Sequence, residues 1–309
     1  MSYKICSFNL RKFGAYADRD FEKIKEIIIG EDVDVVAFQE IYGEGKGVSR
    51  LLEDFVRRRF QNWGFCWASP KETIDFSKMG EQIANGSRGE GYAYIWKTQK
   101  FRLAESCQLG ETRVFEPRIV NSLSNDVYTD CRTFARAPYY IRLFPCRGGF
   151  WELRLINIHI YFGDTSLLSV QKRQEEFSKL VQDIYPQISQ KRYGDFRPAY
   201  TIAMGDYNLN IFRPQNVVQS RAYLNEIYNC HDGRDDYQVI TIQDERTTLK
   251  GNGEYANNYD HFTFSPELAP FSDKSYYRVD AITKYCNGDF EYYNANISDH
   301  LPIVMEIKI

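Results

Sequence analysis

The sequence lacks any surplus of positive charge: 39 Lys and Arg stand against 42 Asp and Glu, a net charge of −3. No global basic field therefore draws in a polyanion, and a polyanionic substrate has to be met by local cations or bound metal. Cysteine is sparse and unpatterned. Cys6, Cys66, Cys107, Cys131, Cys146, Cys230 and Cys286 include no Cys-x-x-Cys pair and no Cys/His group at zinc spacing. They read as free buried thiols in a reducing compartment. No apolar run approaches the length that crosses a bilayer. Met1-Ser2-Tyr3-Lys4-Ile5-Cys6 passes straight into a strand pattern, with no charged leader or apolar signal core. A cytoplasmic protein without membrane association is expected. No repeat, low-complexity tract or Pro/Ser/Gly linker divides the chain, so 1–309 reads as one domain.

What the chain does have is core-forming material: 43% hydrophobic residues, with 23 Tyr and 21 Phe. Residues 3–9 read as a first strand, followed by a helix over 20–29 with Phe21, Ile24, Ile27 and Ile28 on one stripe and Gly30 closing it. The nearly continuous apolar run 33–39 predicts a central strand covered on both faces. An Arg-rich helix is expected over 49–60, and strands over 65–68, 91–97 and 101–109. Segments 133–144 and 150–161 alternate and pair across a turn at 145–149. An amphipathic helix over 166–185, a buried strand over 199–204 and a helix over 214–228 follow, with Pro214 suited to a first turn. Strands over 259–264, 290–294 and 301–309 complete the set. Strands outnumber helices, and helices intervene between some of them. This predicts an α/β fold of two sheets packed face to face with helices outside.

One grammar recurs along these strands: an apolar run, then a carboxylate, amide or imidazole. Asn9 ends the first strand and Gln39-Glu40 the second; His159 closes Leu155-Ile156-Asn157-Ile158-His159. Asp206 and Asn208 end 199–204 in Gly205-Asp206-Tyr207-Asn208; Asp260 heads Tyr259-Asp260-His261-Phe262, and Asp299-His300 precede the last strand. Rigid strand ends at one rim are where chemistry is commonly placed. Glu40, Asp206, Asp299, Asn9 and Asn208 offer hard oxygens, which suit Mg²⁺, Mn²⁺ or Ca²⁺ rather than zinc. His159 and His300 are two of only four histidines, and an imidazole beside a carboxylate suits acid–base work. His261 reads as structural, while Asp280 competes with Asp260 as a strand-edge acid. Metal plus two imidazoles meet the needs of phosphate-ester hydrolysis: neutralised charge, activated water and a protonated leaving oxygen.

In this order the residues resemble the endonuclease/exonuclease/phosphatase superfamily, most closely its deoxyribonuclease I-like branch, from Ile5 to Ile307. Ser7-Phe8-Asn9-Leu10-Arg11, Val36-Ala37-Phe38-Gln39-Glu40, Ile156-Asn157-Ile158-His159, Met204-Gly205-Asp206-Tyr207-Asn208, Tyr259-Asp260-His261 and Ser298-Asp299-His300-Leu301-Pro302 carry the likeness. Glu90 in Arg88-Gly89-Glu90-Gly91 falls where the branch pairs an acid with the first histidine, and Arg136 where it has a phosphate-contacting arginine. The resemblance implies a four-layer α/β/β/α sandwich. It implies Glu40 holding the metal with Asn9 and Asp299 nearby, and Asp206 and Asn208 orienting water and scissile phosphate or sharing a second metal. His159 would pair with Glu90 and His300 with Asp260 as acid–base groups, and Arg136 with Asn208 and Asn9 would contact phosphate. Tyr42 stands where the branch has an arginine that enters the minor groove, and extra material lies near 70–87, 113–130 and 188–198.

The expected activity is divalent-metal-dependent hydrolysis of phosphodiester bonds, with Mg²⁺ first among cofactors and DNA as the partner, cut with little sequence preference. Lys46, Arg50, Arg57, Arg58, Arg59, Lys71, Lys78, Arg88 and Arg136 are candidate backbone contacts. The alternative is a phosphatase or phosphodiesterase using the same site on a small or lipid phosphate. A phosphate-binding module without activity is the non-enzymatic reading, and no core position is visibly substituted in its favour. Nothing in the sequence sets an oligomeric state.

Overall fold

Strand alternation in this chain carries a change of polarity. Along β1 (Ser2–Phe13), Tyr3 and Ile5 point to one face, and Ser7 and Asn9 continue that face in polar form. β2 (Val35–Ile41) repeats the pattern with Val35, Ala37 and Gln39, and β10 (Glu152–His159) with Leu153, Leu155, Asn157 and His159. β11 (Ala199–Asp206) runs Ile202, Met204, Asp206 in the same sense. A period of two therefore buries the apolar residues between two sheets and delivers the polar ones to a single rim.

The computed structural model describes residues 1–14, 19–42, 62–73, 89–108, 111–120, 134–194, 196–211, 239–242, 245–251, 253–265, 268 and 276–309. Helix α1 (Phe21–Gly30) joins β1 to β2; β3 (Trp63–Ala68), the short α2 (Pro70–Thr73) and β4 (Gly91–Lys97) follow. Then come β5 (Phe101–Leu103), β6 (Glu105–Gln108), β7 (Glu111–Val114), β8 (Arg118–Ile119) and β9 (Tyr139–Pro145). After β10 lie α3 (Leu167–Lys179), a π-helical turn (Leu180–Ile184) and α4 (Tyr185–Gln190), then β11, β12 (Ile240–Ile242), β13 (Asp260–Phe264) and β14 (Tyr276–Arg278). Helices α5 (Ala281–Tyr285) and α6 (Phe290–Asn296) precede β15 (Ile303–Lys308).

The first sheet has the order β14-β15-β1-β2-β4-β3, and the second β12-β13-β11-β10-β9-β5 with β8 on β9. Tyr3, Val35 and Tyr94 of the first sheet pack against Ile141, Leu155, Met204 and Phe262 of the second. The outer face of the first sheet, with Phe8, Phe38 and Ile95, is covered by Ile24, Ile27 and Ile28 of α1 and by Tyr293 of α6. Ile156, Ile158 and Ala203 on the outer face of the second lie under Phe177, Val181 and Ile188. These are four layers, α/β/β/α. A polar tie crosses between the sheets: Gln39 Nε2 donates to Asn157 Oδ1 at 2.7 Å, and Asn157 Nδ2 donates to the Phe38 carbonyl at 2.9 Å.

Three expectations change. Residues 290–294 form helix rather than strand, because Asp289 caps α6 by accepting the Tyr292 N–H at 2.8 Å. The helix expected over 166–185 runs to Gln190 through the π turn. Pro186 lies just past that turn, and the wider turn accommodates its missing N–H. Cys6 and Cys286 are buried free thiols, whereas the free Cys146 is exposed in the β9–β10 turn. The helices expected over 49–60 and 214–228 lie outside the described residues, as do Lys46, Arg50, Arg57, Arg58, Arg59, Lys78, Arg88 and the side chain of Lys71. Among the described residues no helix is long and apolar enough to cross a membrane.

Candidate active site

Register brings the first three groups together. His159 pairs with Asp206 across β10 and β11, and Asp206 pairs with Asp260 across β11 and β13. Asp206 is 1% exposed, and its Oδ2 lies 3.4 Å from His159 Nε2 and 3.5 Å from His300 Nε2. The far nitrogen of each ring meets a carboxylate of its own. His159 Nδ1 is 2.9 Å from Glu90 Oε2, and His300 Nδ1 is 2.8 Å from Asp260 Oδ2. Two carboxylate-backed imidazoles thus converge on one oxygen. Asp280, the competitor of Asp260, instead caps α5 by accepting the Thr283 N–H at 3.4 Å. His261 is buried with Nε2 3.0 Å from the Leu209 and Asn258 carbonyls, and burial lowers its pKa, as suits a structural histidine.

The electrostatics of the two rings differ. Burial disfavours charge on His300, but Asp260 and Asp206, with the Asp260 hydrogen bond, outweigh it and raise its pKa well above the usual value. On His159, burial and the nearby Arg136 cation both oppose protonation; Glu90 and Asp206 still raise it. Burial pushes the Asp206 carboxyl up, against the pull of the two imidazoles. Burial would do the same to Glu90, but Arg136, His159 and Tyr42 hold that carboxyl well below the usual carboxylate range.

Arg136 does not face a substrate groove. It is 4% exposed; Nη1 lies 3.0 Å from Glu90 Oε2, while Nε and Nη2 donate to the His159 and Ile160 carbonyls at 3.0 and 2.9 Å. The expected phosphate contact is therefore a clamp on Glu90 and on the backbone after His159. Tyr42, at the position expected for groove reading, donates its hydroxyl to Glu90 Oε1 at 2.8 Å. Asn208, 4% exposed, donates Nδ2 to the Ile160 carbonyl and its backbone N–H to Asp206 Oδ1, both at 2.8 Å.

Glu40 reaches the same rim by a different route. Its residue number has the wrong parity for the inter-sheet face, but pairing shifts between Phe38 and Ile41, and Glu40 takes a positive φ of 58°. Asn9 Nδ2 donates to Glu40 Oε1 and to Asp206 Oδ2, both at 3.1 Å, while Asn9 Oδ1 accepts the Arg11 N–H at 2.9 Å. Asn9, expected to present oxygen to a metal, instead bridges the two carboxylates as a donor. Asp299 Oδ2 lies 3.4 Å from Arg11 Nε, and its Oδ1 is buried with no hydrogen-bond partner. His300 is pinned nearby: Ser298 Oγ accepts the His300 N–H at 3.0 Å and donates to the Asn9 carbonyl at 2.6 Å.

Glu40, Glu90 and His159 offer ligand atoms within 4.8 Å of one another. Glu90 Oε2 and His159 Nδ1 already face each other at 2.9 Å, and the Arg136 guanidinium on Glu90 repels a cation. The partly exposed Glu40, and the orphaned Oδ1 of Asp299 whose Oδ2 is paired with Arg11, are hard oxygens of the kind that suit a hard divalent cation. Sequence reasoning missed Glu176 on α3, 8% exposed, which accepts the Ala135 N–H at 2.7 Å and the Tyr161 N–H at 3.0 Å. It ties the segment bearing Arg136 to the segment after His159. Its only sequence signal was a glutamate on the buried side of an amphipathic helix.

Known structures share this architecture. Danio rerio TDP2 complexed with a single-strand DNA product is 14% identical with a TM-score of 0.57, covering 100% of this chain and 99% of that one. A Bacteroides thetaiotaomicron endonuclease/exonuclease/phosphatase family protein is 15% identical, TM-score 0.56, covering 99% and 95%. ANGEL2, a 2′,3′-cyclic phosphatase in complex with adenosine-2′,3′-vanadate, is 14% identical, TM-score 0.56, also covering 99% and 95%. No curated protein matches in sequence. The model of the Endonuclease/Exonuclease/phosphatase family, hydrolases of phosphoester bonds that generally use a divalent metal, matches residues 6–300. This chain belongs to that family.

Proposed function

We propose that the chain is a divalent-metal-dependent phosphodiesterase that cuts DNA endonucleolytically with little sequence preference. The observation that carries this reading is the convergence of two carboxylate-backed imidazoles on Asp206 Oδ2, at 3.4 and 3.5 Å. Glu40 and Asp299 would hold the cation, Mg²⁺ in the first instance with Mn²⁺ or Ca²⁺ as substitutes. When bound, it neutralises phosphate charge and polarises a phosphoryl oxygen. Asp206 orients the attacking water, with its own position fixed by Asn208 and Asn9. His300, whose surroundings hold a proton most firmly, delivers it to the leaving oxygen. His159, kept upright by Glu90, takes the proton from water. Each imidazole contributes roughly 10²–10⁴-fold on this reading. Arg136 and Tyr42 keep Glu90 ionised and in place.

A second reading, hydrolysis of a small or lipid phosphate ester at the same site, is supported by the net charge of −3 and by the likeness to a cyclic phosphatase. The purified protein is expected to nick supercoiled plasmid only with a divalent cation, and His159→Ala or His300→Ala to lose nicking by at least about 10²-fold. Undiminished nicking in excess chelator, or in either variant, defeats the mechanism. Inertness on DNA and RNA with turnover of a small phosphoester moves the conclusion to the second reading.

A further inference from the structure

Among the described residues eight large apolar side chains are exposed, and three of them fall within residues 162–168, just after His159: Phe162 at 44%, Leu167 at 64% and Leu168 at 63%. A lone exposed apolar residue needs no explanation, whereas a cluster beside a polar cleft does. The Phe162 ring lies 6.4 Å from the Tyr259 ring at an interplanar angle of 60°. Tyr259 immediately precedes Asp260, and its carbonyl accepts the Tyr207 N–H at 2.7 Å. The ring pair therefore spans from the chain just beyond one imidazole dyad to the chain just before the other.

The platform is built rather than loose. Arg173, 5% exposed, lies 5.3 Å from the Phe162 ring centroid and donates to the Asn208 carbonyl at 3.3 Å and the Asp164 carbonyl at 2.9 Å. One guanidinium thus links the aromatic surface to the turn that carries Asn208. The described arginines of this rim are also engaged by protein groups: Arg11 with Asp299, Arg136 with Glu90, Arg173 with two carbonyls. Among the described residues, these three rim arginines are therefore poor sources of phosphate contacts beyond the reacting group.

We propose that Phe162, with Tyr259 beside it, is a stacking subsite for an unpaired nucleobase of the nucleotide next to the scissile phosphate. The proposal rests on the nucleic-acid reading of the substrate. A ring face accepts any base, so the subsite favours strandedness and not sequence. A base inside a duplex is stacked on both faces and has none to offer, so single strands and frayed ends are preferred over the duplex interior. An acyl chain fits less well. Asp164, on the same loop, is exposed and held ionised by Ser166 and Ser169, its pKa lowered to about 2, which opposes seating the loop in an anionic membrane.

Two measurements test this. In the first, cleavage of a single-stranded oligonucleotide is compared with that of the same strand carrying an abasic nucleotide beside the cut. Phe162→Ala is expected to raise KM for the intact strand by roughly 5- to 150-fold, with the loss in KM rather than kcat, and to erase the difference between the two strands. Phe162→Tyr restores the difference. Equal KM for both strands in the unmutated protein overturns the subsite while leaving the nuclease reading intact. In the second, Phe162→Trp fluorescence is followed in chelator, where nothing turns over. Quenching by the base-bearing strand and not by the abasic one supports the subsite even if no cleavage of DNA is ever found. A response to phosphatidylcholine/phosphatidylserine vesicles and none to DNA overturns it in favour of a lipid surface.

Discussion

Glu31, at the end of α1, is held by donors from the far end of the chain. Tyr277 and Lys284 donate to its carboxylate at 3.0 Å and Tyr285 at 2.9 Å. Burial works to raise its pKa, but these three partners outweigh it and hold it below the usual value. An unfolded glutamate titrates near about 4.3, so the stabilisation is present above that pH and lost as pH falls through the lower folded value. Glu31→Gln is expected to lower the unfolding free energy by about 1–3 kcal/mol at neutral pH. The gap from the unmutated protein should narrow below pH ~4. Denaturant titrations at both pH values check this; an equal loss at each contradicts it. At this scale legibility depended on motif. His300 and Asp260 were readable as partners because both sit in recognisable strand-end patterns. Glu31 was not, because its partners lie 246 to 254 residues away and none is in a motif. Arg136 was found, but its orientation was not: which way a guanidinium turns is decided by Glu90 and two carbonyls, not by its neighbours in sequence.

Among elements, strands were the most readable because a period of two leaves a direct trace in apolar residues. The same period explains why Asn9, Asn157, His159 and Asp206 share a face. It does not explain Glu40, which needs the shift in pairing at the end of β2; a local backbone irregularity has no signature in hydrophobic pattern. Aromatic content misled the reading of 290–294, where an aspartate cap outweighs the strand preference of Phe and Tyr. β11 shows how strictly one element is constrained. Gly205, between Met204 and Asp206, has a φ of 149°, and a Cβ there would lie 1.8 Å from the Ile158 carbonyl oxygen. That oxygen is backbone of the neighbouring strand, so it cannot step aside as a side-chain tip would. Gly205→Ala is expected to destabilise the fold by about 3 kcal/mol or more, through overpacking and an unfavourable φ together. It should also displace Asp206 from the imidazoles, so activity measured below the melting transition falls as well. A variant of unchanged stability and activity would mean that β10 and β11 can separate at no cost.

Taken whole, the molecule is two sheets whose polar strand ends meet at one rim, and the order of motifs along the chain was enough to read the fold. The inter-sheet tie of Gln39 to Asn157 was not read from the sequence, because an amide inside an apolar strand does not name its partner and that came only with the packing of the sheets. Net charge acts at this same scale. The chain carries −3 overall, and the arginines described at the rim are turned to carboxylates and carbonyls of the protein. Binding should therefore release few counterions, about one or two, since only unneutralised cations displace them from a phosphate backbone. At constant Mg²⁺, KM for a single DNA strand is expected to rise about 3- to 7-fold as monovalent salt goes from about 50 to about 200 mM. Initial rates across that series decide the matter. A rise near 10³-fold would require about seven phosphate contacts along a single strand, and Lys46, Arg50, Arg57, Arg58, Arg59, Lys71, Lys78 and Arg88 are the candidates for them. In that case charge rather than stacking would govern how the substrate is held, and Phe162→Ala would have little effect on KM.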